Sequence, residues 1–230
     1  MLSEYDKIGT KEVAQVANYP LGWAQATNTP FRLWKSDANA EGATHNPLIV
    51  HYPKGATEKG GVRNLYAHLI DLYPTVLELT GIDQPKQIKN INQEPLHGTS
   101  LAYALSNKSA PSRHTQQYYT IFGNRSIYKD GWKAGAAHHP NSLELFTFAG
   151  EARPDLDGDP DKDVWELYHI EEDFNELNNL ASRNPEKLKE LKALFDAEAV
   201  KYNIYPLIDI EYAAQRFAEQ RKRQEQQAKR

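Results

Sequence analysis

The sequence predicts an α/β chain made of two unlike parts: a buried strand with a helix, then a small antiparallel sheet covered by a second helix. Three observations carry that prediction. The run NPLIVHYP, Asn46 to Pro53, is a short continuous apolar stretch closed by proline and then Lys54-Gly55, the pattern of a strand buried on both faces. Asp130-Gly131 stands between two β-rich runs, where a type I′ hairpin needs positive φ at both central positions. Asn184-Pro185 opens a polar and apolar periodic segment, with asparagine suited to the N-cap and proline to the first helical turn.

The strand at 46–53 has no second run of its kind in the chain, and one strand cannot make a sheet. After it, Val62, Leu65, Tyr66, Leu69, Tyr73, Val76 and Leu77 recur at spacings of three and four, which predicts a helix over Val62 to Leu79 with Gly81 as its stop. Pro74 removes one internal hydrogen bond, so a kink or a fresh helix start is expected beside it, with Asp71 at the junction. Residues Asp83 to Gly98 read as loop. From Thr115 to Ala137 the pattern becomes an antiparallel meander with turns at Gly123-Asn124 and Asp130-Gly131, and DVWELYHI, Asp163 to Ile170, joins it after the loop His138 to Lys162. Leu188, Leu191, Phe195 and Tyr202 then line the face of the last helix that should cover this sheet. The tail from Glu211 to Arg230, with six basic and three acidic residues, reads as a solvated helix or frayed end.

Composition excludes several functions. A net charge of -4 with both signs well mixed gives no field that would gather nucleic acid or an anionic membrane. No run approaches the roughly 18 apolar residues needed to cross a bilayer, and MLSEYDKIGTKEV shows no secretion signal, so the chain carries no visible address. With no cysteine there is no disulfide, thiolate metal site or cysteine nucleophile. The eight histidines show no ligand spacing for zinc.

Three local patterns bear on chemistry. In NTPFRLWK, Pro30 holds Thr29 extended, Phe31 and Trp34 are anchors, and Lys35 follows as a cation on a fixed segment, although a lone lysine is ordinarily solvated surface. Ser109-Ala110-Pro111-Ser112-Arg113 satisfies S-x-P-x-R. The acidic run Asp155-Leu156-Asp157-Gly158-Asp159-Pro160-Asp161, with Glu166 at the twelfth place, resembles a calcium loop but has proline where an EF-hand needs glycine, so a solvated acidic loop is expected. His138-His139 stands where it could face a cleft, with surface histidine the more ordinary reading.

GWAQATNTPFRLWK, NPLIVHYPKG, LIDLYPTVLELTGI, PLHGTSLAYAL, TQQYYTIFGNRSIYKDGWKA and WELYHIEEDFNELNNLA resemble, in order from about Tyr19 to Leu207, successive blocks of the C-terminal portion of bacterial arylsulfatases. The resemblance implies an alkaline-phosphatase-like fold. Residues 1–110 would be the truncated end of its α/β domain, 111–210 a C-terminal sheet and helix subdomain, and 211–230 a polar tail. NPLIVHYP would then be one strand of a sheet whose other members precede Met1. Lys35 would point at the sulfate group, where an ammonium stabilises developing charge. The family hydrolyses sulfate esters through a formylglycine, made from the cysteine or serine of a C/S-x-P-x-R motif, and through Ca²⁺. Those residues precede the matched region, so neither a nucleophile nor a metal ligand carries over to this chain, and Ca²⁺ is not expected to bind it specifically. Ser109 is a decoy by the same comparison, because the family's signal continues into leucine, threonine and glycine, whereas His114-Thr115-Gln116 follows here. The substrate implied is a sulfate ester, and the parent compartment the periplasm. The expected function is an arylsulfatase-derived chain inactive alone; the alternative is a non-catalytic sulfatase-like module that binds sulfated ligands or a partner chain.

Overall fold

The computed structural model describes residues 10, 21–53, 55–57, 60–138 and 160–207. In chain order the elements are helices α1 (Leu21–Asn28) and α2 (Glu41–Thr44), helix α3 (Leu72–Thr80), a small hairpin of β1 (Gln87–Ile88) and β2 (Ile91–Asn92), strands β3 (Gln116–Ile121), β4 (Asn124–Lys129), β5 (Trp132–Ala136) and β6 (Trp165–His169), and helix α4 (Pro185–Lys201). Strands β3 to β6 form one antiparallel sheet in sequence order, as the meander predicts. The acidic run 155–159, His139, Lys54 and the tail lie outside the described residues.

Register divides this sheet into two chemically different faces, because directly opposed residues in an antiparallel pair share a face. Tyr118, Ile127, Ala134 and Leu167 stand in one row, flanked by Arg125, Ala136 and Trp165 in the next. That face takes α4, and Ile127, Ala134, Leu167, Leu191, Phe195 and Ala199 form the buried core. Each fully buried large aliphatic or aromatic side chain there contributes about 1.5 to 3 kcal/mol. Tyr119, Ser126, Gly135 and Glu166 form a row on the opposite face, beside Gln117, Tyr128, Lys133 and Tyr168. This second face is polar yet buried: Asn124, Ser126 and Lys133 are each at most 1% exposed.

The Asp130-Gly131 turn has φ of 45° and 83°, as the type I′ reading requires. The preceding turn is displaced by one residue from expectation. Phe122 and Gly123 take the positive φ values of 51° and 83°, and Asn124 is already the first residue of β4. Lys89 and Asn90, with φ of 49° and 64°, turn the β1–β2 hairpin inside the segment expected to be loop.

Two elements differ more from expectation. Residues 45–50 form no strand, and Leu48, Ile49 and Val50 are 52%, 92% and 51% exposed. Among the described residues no strand pairs with them, so their amides and carbonyls lack the ladder that would hold an extended run in a sheet. The predicted helix over Val62 to Leu79 begins only at Leu72. Residues 62–68 have no regular structure, and a 3-10 turn, Leu69–Asp71, follows. Its start is fixed by reciprocal capping: Asp71 Oδ2 accepts from the His68 amide at 2.7 Å, and His68 Nδ1 accepts from the Ile70 amide at 3.3 Å. Pro74 then falls in the first turn of α3, where its missing N–H is harmless, and Gly81 caps the helix at φ 67°. At α4, Asn184 occupies the N-cap position without making the side-chain cap bond.

Candidate functional site

Asn28, the last residue of α1, donates through Nδ2 to the carbonyls of Leu33 at 2.5 Å and Gly42 at 2.8 Å. The Gly42 amide returns a bond to the Arg32 carbonyl at 3.1 Å, so residues 32–42 form a closed loop. Glycine is required at 42, because a Cβ would stand 2.2 Å from the Leu33 carbonyl oxygen and 2.3 Å from that of Arg32. Within the loop, Asp37 N–H bonds Trp34 O at 3.1 Å and Ala40 N–H bonds Asp37 O at 2.8 Å. Lys35 is exposed within the first of these turns, whereas residues 36–41 are all buried. The backbone around Lys35 is fixed chiefly by the residues that follow it, rather than by the Pro30, Phe31 and Trp34 anchors expected from the sequence.

Those residues lie on the polar face of the sheet. Asn124 Nδ2 donates to Ser36 O at 3.1 Å, and Ser126 Oγ donates to Ala38 O at 2.6 Å. Two positions along β4 thus match two positions along the loop.

An ionic network completes the attachment. Lys133 Nζ lies 2.8 Å from Glu41 Oε1 and 3.2 Å from Glu176 Oε1, the latter an ion-pair contact without hydrogen-bond geometry. Glu176 Oε2 accepts from Arg32 Nε at 3.1 Å and from the Glu41 amide at 2.9 Å, and Arg32 Nη2 reaches Glu166 at 2.5 Å. Burial pushes the Glu41 carboxyl up, but the Lys133 ammonium and the His45 imidazole outweigh it and hold the group at about 2. Removing one partner from the buried Lys133, Glu41 and Glu176 set costs about 3 to 5 kcal/mol, because charge is left uncompensated. The network, two cations (Arg32, Lys133) and three carboxylates (Glu41, Glu166, Glu176), ties the loop to β5, β6 and the segment after β6.

A second polar cluster sits where α3 meets the sheet. Asp71, fully buried, accepts from His114 Nδ1 at 2.8 Å and from the Thr99 amide at 2.7 Å, while His114 Nε2 lies 3.1 Å from Gln117 Oε1. Tyr66 stacks on Tyr128 with ring centroids 3.6 Å apart and shares a 2.5 Å hydrogen bond with the Tyr119 hydroxyl. Both ring nitrogens of His114 are engaged, so this cluster joins elements rather than offering a free base.

Ser109 is exposed on a loop, with its amide bonded to Asn107 Oδ1 at 3.0 Å and no acid or base hydrogen-bonded to its hydroxyl. The His138 side chain is 2% exposed and its Nδ1 lies 3.1 Å from Asp163 Oδ2, so it is turned inward and not toward a cleft. Glu166, the twelfth position of the acidic run, is engaged by Arg32. Among the described residues no group of three or more His, Cys, Asp or Glu could hold a metal ion. No helix among them is long and apolar enough to cross a membrane. The sequence reading missed Arg32, Glu41, Asn124, Ser126, Lys133 and Glu176. Its available signal was the alternation Asn124, Ser126, Tyr128 in a strand that also carries Ile127, which marks a strand covered on both sides with one polar face.

No protein-family model matches the chain. It is 28% identical over 174 residues to arylsulfatase K of Xenopus laevis, covering 72% of this chain and 28% of that protein. It is 27% identical over 172 residues to an uncharacterized sulfatase of Schizosaccharomyces pombe, and 27% identical over 158 residues to a sulfatase of Formosa agariphila, covering 74% and 69% of this chain and 27% and 26% of those proteins. The chain thus spans about 26 to 28% of the length of these curated relatives. Because they come from animal, yeast and bacterial sources, the likeness is to sulfatases broadly and not to bacterial arylsulfatases in particular. The crystal structure of Ps i-CgsB shares the fold at a TM-score of 0.53 and 20% identity, over 74% of this chain and 32% of that one. The mixed helices and antiparallel sheets are consistent with a partial alkaline-phosphatase-like α/β fold carrying a small sheet. The chain is thus similar in sequence to these sulfatases, at 27 to 28% identity, and shares its fold with Ps i-CgsB.

Proposed function

We propose that this chain corresponds to the C-terminal portion of an arylsulfatase, with residues 1–110 from its α/β domain and 111–210 from its sheet subdomain, and that Lys35 is its contribution to the sulfate site. The observation that carries the reading is the placement of Lys35: it is an exposed cation on a loop closed by Asn28 and Gly42, directly before the buried run 36–41 that meets the sheet. A cation projecting from a fixed backbone there would stabilise charge developing on sulfate oxygens. In a full-length relative the bond-breaking chemistry would belong to a formylglycine and Ca²⁺, and this reading assigns neither to a residue of this chain. Lysine alone provides charge without a nucleophile.

The purified chain is therefore expected to leave 4-nitrophenyl sulfate unhydrolysed over a prolonged incubation. Turnover that disappears on Ser109→Ala would contradict both the assignment and the dismissal of the S-x-P-x-R segment.

A further inference from the structure

Asn124 has a side chain that touches the loop beside Lys35 without reaching Lys35 itself. It is fully buried, and its amide faces two ways: Nδ2 donates to Ser36 O at 3.1 Å, and Oδ1 accepts from the His138 amide at 2.8 Å. Ser36 is the residue after Lys35 and has φ of 87°, a conformation costly for serine unless its surroundings hold it there. Ser126 repeats the arrangement two residues on, through Ala38 O at 2.6 Å. A buried amide and a buried hydroxyl whose donors are given to loop carbonyls add little to a core, yet they fix the backbone from which a functional side chain projects.

We infer that Asn124 and Ser126 are positioning residues for Lys35, setting where its ammonium meets the anionic group of a sulfate ester. The inference rests on the assignment of Lys35 made above. The donor arm of Asn124 is the operative one. Asn124→Asp keeps an acceptor for the His138 amide but places a carboxylate oxygen against the Ser36 carbonyl. Ser126→Ala removes the second donor with the loss of one oxygen atom, and so serves as the variant least able to disturb folding.

The test uses the whole 230-residue chain, with inorganic sulfate as probe, read by sulfate-dependent chemical shift at the Lys35 side chain and by hydrogen exchange. In the parent, sulfate shifts the Lys35 signal, and Lys35→Ala abolishes the response of the neighbouring amides. In Ser126→Ala and Asn124→Asp the apparent sulfate Kd rises, by about fivefold or more for Asn124→Asp, on the scale of one lost hydrogen bond. The Asp37 and Ala40 amides exchange faster, while those of β4 and β5 keep their protection. Unchanged sulfate affinity in both variants, with the parent still dependent on Lys35, overturns the positioning role alone. Protection lost uniformly across the sheet in Ser126→Ala also overturns it, because the residue is then merely structural. A parent that gives no response to sulfate, or one indifferent to Lys35→Ala, overturns the Lys35 assignment and the positioning role with it.

Discussion

Asp71 and His114 show how single residues set conditions for this molecule. Asp71 is buried, which raises its carboxyl, but the His114 imidazole and the amides of His68 and Thr99 more than offset this and lower it. The hydrogen bond to Asp71 is the largest influence on His114 and raises it against burial, with Gln117 adding to the same effect. A raised imidazole contributes stability that is complete below its ordinary value of 6.5 and is lost as pH rises through its folded value. A lowered carboxyl contributes stability that is complete above its ordinary 3.8 and is lost as pH falls. The pair is therefore most effective between those two limits. Denaturant unfolding should find His114→Asn less stable than the parent by about 2 kcal/mol near pH 5, with the difference shrinking above neutrality. A difference that grew with pH would mean that the imidazole is held neutral. The pairing was not legible in the sequence, since Asp71 and His114 are 43 positions apart, although Asp71 was expected at the helix junction.

At the scale of elements, legibility followed how local the deciding interaction is. The β3–β4–β5 meander and α4 were readable because turn chemistry at Asp130-Gly131 and periodicity at Leu191 and Phe195 act within a few residues. The helix start was misplaced by ten residues, from Val62 to Leu72, because Tyr66 satisfies the same periodic stripe while stacking on Tyr128 of β4. NPLIVHYP failed for the opposite reason, since a strand exists only where a neighbour offers a ladder. The site was half legible: Lys35 could be singled out, but its mount on Asn124, Ser126 and Lys133 depends on sheet register. The covering helix gives the sharpest energetic expectation at this scale. Phe195 is fully buried and packs edge-on to Trp165 at 5.8 Å, so Phe195→Ala should destabilise the fold by about 3 to 5 kcal/mol, read from the urea midpoint. A loss below about 1 kcal/mol would show that α4 is not what closes the apolar face.

Among the described residues the β3–β6 sheet is two-sided. Its apolar face is closed by α4 and makes the core, and its polar face carries the loop with Lys35. Away from the sheet the described surface is unusually apolar: Leu69 is 76% exposed, Val76 56% and Ile49 92%. Exposed apolar groups invite association, and the chain matches about 28% of the length of arylsulfatase K of Xenopus laevis. The most direct test joins the chain to the N-terminal portion of a related sulfatase and compares turnover of 4-nitrophenyl sulfate by the parent, Lys35→Ala and the exposed-lysine control Lys108→Ala. Lys35→Ala should lower kcat by about 10² to 10³, the scale for one preorganised charge-stabilising donor, with thermal stability unchanged and Lys108→Ala at the parent value. Equal kcat for parent and Lys35→Ala, with folding intact, would contradict the role assigned to Lys35.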